Sequence, residues 1–159
     1  MCLDCPTIAR PQNVIIQAQL EHSIRTDNIN LITKLEENID QIFTNFVSDF
    51  VARDKQERIL LFYKNKKNWW KIKNEFHTSN PFDKGKIVAI EPNQQYADKI
   101  YLKMQSLGTK EECFLLLDYL NDEPYKCNLE EKLSDTVGFL VETIIYCPKT
   151  KTGYFEGGH

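Results

Sequence analysis

The chain has 159 residues, 42% of them hydrophobic and 27% charged, with a formal net charge of −3. That length fits one domain with its own core, and the composition is globular rather than disordered. No apolar run approaches the length needed to cross a membrane, and the N-terminal MCLDCPTIARPQN has no apolar stretch of signal-peptide kind; the expectation is a cytosolic protein without a membrane role.

In chain order, residues 1–11 read as an irregular arm punctuated by Pro6 and Pro11, ahead of a single globular domain over 12–159. Val14, Ile15, Ala18 and Ile24 suggest a first helix from Gln12 to Arg25. Thr26-Asp27-Asn28 supplies cap chemistry for a second, since a short side-chain oxygen accepts from the free N–H groups of a helix start. Ile32, Leu35, Ile39, Ile42, Phe46 and Phe50 then step by three or four, which predicts one long amphipathic helix over Asn28–Arg53. Residues 58–64 and 69–76 are rich in aromatic and β-branched residues around the polar KNKKN, and read as a hairpin. A loop over His77–Pro81 and a strand over Lys86–Glu91, ended by Pro92, follow. Tyr96, Ile100, Met104 and Leu107 have helical spacing, closed by Gly108. Cys113–Leu120 reads as a buried strand and Asn121–Pro124 as a turn, and Asn128 caps a short helix over Leu129–Thr136. Strands over Phe139–Cys147 and Tyr154–Glu156 flank a turn at Pro148–Gly153. The sum is an α+β fold: N-terminal helices packed on a mostly antiparallel sheet with short helices interspersed.

Two charge clusters carry the functional readings. Residues 55–73 hold seven Lys or Arg against one Glu, and Lys64, Lys66, Lys67, Trp69, Trp70 and Lys71 combine cations with aromatic faces. Single-stranded nucleic acid is held by such a combination. A wet hairpin face explains the same residues, because successive side chains of a strand point to opposite sides and one tryptophan must then face the core. Residues 111–142 hold nine Asp or Glu against two Lys. Asp118, Asp122, Glu123, Glu130, Glu131 and Asp135 are the candidate docking residues there, since clustered carboxylates steer a basic partner. Solvated loops and a helix start rich in acids explain the same residues.

The remaining chemistry is sparse. Cys2 and Cys5 have the two-residue spacing of a zinc ligand pair, but no second pair exists, and His22, His77 and His159 are isolated. An odd total of five cysteines, with Cys113 and Cys147 in apolar stretches, favours free thiols. Cys2, exposed by removal of Met1, would be an N-terminal nucleophile, yet Leu3 stands where the amidotransferases of that class have glycine. No phosphate loop, dinucleotide fingerprint, nucleophile elbow or HExxH motif occurs, so no catalytic residue, metal or cofactor is assigned. The reading that follows is a non-enzymatic binding protein whose acidic C-terminal half docks on a basic protein partner. Its alternatives are a nucleic-acid module over residues 64–73 and a small enzyme using Cys2 or His77. Small acidic inhibitors, including the immunity proteins of bacterial toxin–immunity pairs, share this size and charge, although no motif carries the likeness.

Overall fold

Val14-Ile15-Ile16 is a run of three β-branched residues, which suits a pleated strand better than a helix. In a computed structural model of the chain, which describes residues 13–17, 39–118, 123–139 and 141–157, this run is strand β1 (Asn13–Gln17). The expected helix over Gln12–Arg25 is therefore wrong where it is described. Strand β1 pairs on both sides, with β2 (Ile87–Ala89) and β6 (Thr152–Glu156), and this pairing with distant segments overrides the local helical spacing.

The other strands are β3 (Glu112–Leu117), β4 (Tyr125–Asn128) and β5 (Thr143–Cys147). The sheet order is β2-β1-β6-β5-β3-β4, and every pairing is antiparallel. Helices α1 (Ile39–Phe50), α2 (Arg53–Tyr63) and α3 (Trp69–Thr78) precede β2; α4 (Ala97–Ser106) lies between β2 and β3, and α5 (Leu129–Thr136) follows β4. The α+β class holds.

The sheet separates two cores. Phe114, Ile144, Tyr146 and Phe155 pack with Ile42, Phe43, Phe46, Val47, Phe50, Ile59, Trp69, Ile72 and Phe76 of α1–α3. The alternating residues Cys113, Leu115, Ile145, Cys147 and Tyr154 pack with Ile100 and Met104 of α4 and Leu129 and Leu133 of α5. Period-two alternation along the strands thus directs one set of side chains to each helical layer. A register shift between Leu115 and Leu117 breaks the alternation, and Leu116 and Leu117 both join the α1–α3 core.

Two further expectations are corrected. The helix expected over Asn28–Arg53 ends at Phe50. Ala52 donates its N–H to the Pro81 carbonyl (2.9 Å), Asp83 donates to the Phe50 carbonyl (2.8 Å), and Val51 bridges Phe82. The chain turns there and starts α2 at Arg53; residues 28–38 lie outside the described residues. The expected hairpin over 58–76 is instead the helix pair α2–α3. Trp69, Ile72 and Phe76 step by three and four and are buried together, which is a helical face. Between them, Asn65 accepts from the Lys67 N–H (3.1 Å) and opens a single 3-10 turn at Lys66–Asn68. The loop expected at His77 begins later, since α3 runs to Thr78. Elsewhere the expected devices are in place: Gly108 has a φ of 86° just past α4, and the Asn128 side chain accepts from the Glu131 N–H (3.2 Å) at the start of α5. The arm over 1–11 and the turn residues Asn121 and Asp122 lie outside the described residues.

Candidate functional site

The six acidic candidates do not share one surface. Asp118 follows β3 and is 7% exposed, with Lys132 Nζ 3.7 Å away. It faces inward and is not offered to a partner. Glu123 forms an ion pair with Lys66, which ties it to the opposite helical layer. Asp122 lies outside the described residues. Glu130, Glu131 and Asp135 are exposed on α5. The one lysine of that helix, Lys132, is turned back over the Tyr125 ring (5.7 Å) toward Asp118. The solvent face of α5 is therefore acidic along its length. On α4 beside it, Leu102 is exposed, and Tyr101 lies within electrostatic reach of Glu130 and Glu111.

The basic and aromatic candidates are rearranged by the helix pair. Trp69 is 7% exposed, edge-on to Phe43 (6.0 Å between centroids) and Tyr63 (5.5 Å), and belongs to the core. Trp70 is 64% exposed. Lys71 Nζ lies 5.6 Å from the Trp70 ring and 5.4 Å from the Phe62 ring, and the Arg58 guanidinium lies 5.6 Å from the same Phe62 ring. Arg58 also pairs with Glu75, whose buried carboxylate accepts from the Ser79 hydroxyl (2.8 Å). This gives a notch of about 300 Å³ lined by Arg58, Phe62, Trp70, Lys71, Asn74 and Glu75. Lys64, Lys66 and Lys67 are exposed at the neighbouring turn.

The two sets meet at a cleft of about 710 Å³. Lys64, Lys66 and Trp69 contribute from one side, Glu123 and Pro124 from another, and Ile39, Asp40 and Tyr63 complete the wall. Tyr63 donates its hydroxyl to Asp40 (2.8 Å). Burial, and then the Asp40 carboxylate, push the Tyr63 phenol well above its ordinary pKa. Sequence reasoning placed the two charge clusters in competing sites. The Lys66–Glu123 pair joins them at one edge, a contact between residues 57 apart that no local pattern encodes.

The thiol and histidine candidates sit as follows. Cys2, Cys5, His22 and His159 lie outside the described residues. Cys113, Cys127 and Cys147 are free thiols. His77, on the last turn of α3, pairs through Nδ1 with Glu142. Among the described residues, no group of three or more His, Cys, Asp or Glu side chains is placed to hold a metal ion, and no helix is long and apolar enough to cross a membrane. Comparison with family models, with curated proteins and with solved structures finds no match to this chain.

Proposed function

We propose that the chain is a non-enzymatic binding protein of the inhibitor or immunity kind, docking a basic protein partner through the solvent face of α5. The observation that supports this reading is the inward turn of Lys132, which leaves Glu130, Glu131 and Asp135 as the charges α5 offers to solvent. The docking set is smaller than the sequence suggested, because Asp118 is buried and Glu123 is paired with Lys66. The test is binding of a basic partner captured from the source cells. The triple variant E130K/E131K/D135K is expected to fold normally and to lose that partner at low salt. Retention of the partner by this variant refutes the reading.

A second reading rests on Trp70. An exposed indole with Lys71 against it and Arg58 across the notch has the cation and the stacking face that single strands use. Titration with an oligothymidylate would quench the Trp70 fluorescence, and the quench would fall with salt. The absence of quenching in wild type, or an equal quench in Trp70→Phe, removes this reading.

A further inference from the structure

Strands β3 and β4 pair with Cys113 directly opposite Cys127. Their Sγ atoms are 3.5 Å apart. Opposed residues of an antiparallel pair have Cα atoms roughly 4.5–5.5 Å apart, inside the range that a disulfide spans. Closing the bond requires an approach of about 1.5 Å by the two sulfurs. On its other side Cys113 neighbours Cys147 of β5, whose thiol it also meets in a hydrogen bond. Three free thiols thus lie in a row across β4, β3 and β5, on the α4–α5 side of the sheet. Cys113 and Cys147 are buried, and Cys127, on the edge strand, is partly exposed. A reagent in solution therefore meets Cys127 first.

We propose that Cys113 and Cys127 are an oxidation site, converted by a low-molecular-weight disulfide of the glutathione kind into a cross-strand disulfide that fixes β4 and the start of α5 to β3. The thiolate of Cys127 attacks the small disulfide, forming a mixed disulfide and releasing one small thiol. The thiolate of Cys113 then attacks the Cys127 sulfur and expels the second small thiol. Two protein thiols are oxidised, one small disulfide is reduced to two thiols, and each protein thiol's proton ends on a departing thiol. The hydrogen bond with Cys113, and then burial, hold the Cys127 thiol above its ordinary pKa. For Cys113 the bond to Cys127 pulls downward, but the bond to Cys147 and burial outweigh it. The exchange is accordingly slow at neutral pH and quickens as pH rises. Because β4 runs into α5 without a break, a bond at Cys127 holds the first turn of that helix as well. The inference does not depend on the docking reading.

The experiment uses the full chain with oxidised glutathione at about pH 7 and about pH 9. Remaining thiols are alkylated, and the digested protein is mapped by mass spectrometry. The expected result is a peptide pair joined through Cys113 and Cys127, two hydrogen atoms lighter than the separate peptides, forming faster at the higher pH. Amide exchange over residues 125–131 slows in the oxidised wild type and stays unchanged in Cys127→Ser. A link from Cys113 to Cys147, a Cys127 that stops at the glutathione adduct, or a joined pair without slower exchange overturns the proposal. The map of the wild type decides the linkage even if the serine variant does not fold.

Discussion

Glu156 has none of its surface exposed, and its carboxylate accepts hydrogen bonds from two neighbours. The Gly138 N–H reaches both carboxylate oxygens (3.0 and 3.2 Å), and the Tyr154 hydroxyl donates to one of them (2.9 Å). Gly138 has a φ of 87°, a left-handed turn just past α5 that a glycine adopts without steric cost and that aims its N–H at the sheet. Replacing Glu156 with Ala leaves the buried Tyr154 hydroxyl without this acceptor, at a cost of roughly 1–3 kcal/mol. Urea denaturation measures it; a loss no larger than that of the exposed Glu130→Ala would contradict the role. Tyr154 gives a pH signature. Burial, and then the Glu156 charge, hold its phenol above the ordinary tyrosine value. With the folded pKa raised, the unfolded chain releases the proton first, so the stability this group contributes is intact below about pH 10 and declines as pH rises beyond it. The urea midpoint is expected to fall across that range, and less steeply in Tyr154→Phe. Neither residue was legible as special in GYFEGG. Their burial comes from the place of β6 between β1 and β5, which is a matter of long-range order.

At the scale of elements, legibility followed the length over which a period could be read. α4 and α5 were readable with their punctuation, because Gly108 and Asn128 act locally. The stripe Ile42, Phe46, Phe50 was readable too, but not its end, which depends on hydrogen bonds to the Pro81 carbonyl and from the Asp83 N–H. The α2–α3 pair failed for another reason. Aromatic and β-branched residues raised the strand signal, while α2 buries only Ile59 fully and so shows little helical periodicity. In α3 the spacing of Trp69, Ile72 and Phe76 was present but was read as alternation through Trp70. The same misreading moved the site, since alternation sets Trp70 on one face with Ile72 and Phe76, whereas Trp69 is the tryptophan in the core and Trp70 the one in solvent. Ile42, 2% exposed between α1 and the aromatic core, tests the α1 assignment. Ile42→Ala is expected to cost about 2–5 kcal/mol in chemical denaturation. A cost under about half a kilocalorie would place α1 outside the core.

For the whole molecule, charge is unevenly distributed along the chain. Residues 39–90, which supply α1–α3, hold ten Lys or Arg against six Asp or Glu; residues 91–139, which supply α4 and α5, hold ten Asp or Glu against five Lys. The basic excess is concentrated in residues 64–73 and the acidic excess in residues 111–142, and an uneven charge distribution of this kind orients a charged partner before contact. The docking reading then makes an unequal prediction for the two faces. Reversing Glu130, Glu131 and Asp135 to lysine is expected to slow association with a basic partner by about an order of magnitude at low salt. The deficit is expected to shrink as salt rises, because exposed charges separated by more than a Debye length of about 8–10 Å are screened. Reversing Lys64, Lys66, Lys67 and Lys71 to glutamate makes the chain more negative and removes no acid from α5, so the same association rate is expected to hold or rise. Stopped-flow association rates for wild type and both variants, at two salt concentrations, make the comparison. A rate that falls only with the lysine reversals would move the binding surface across the sheet, to the face that carries Trp70.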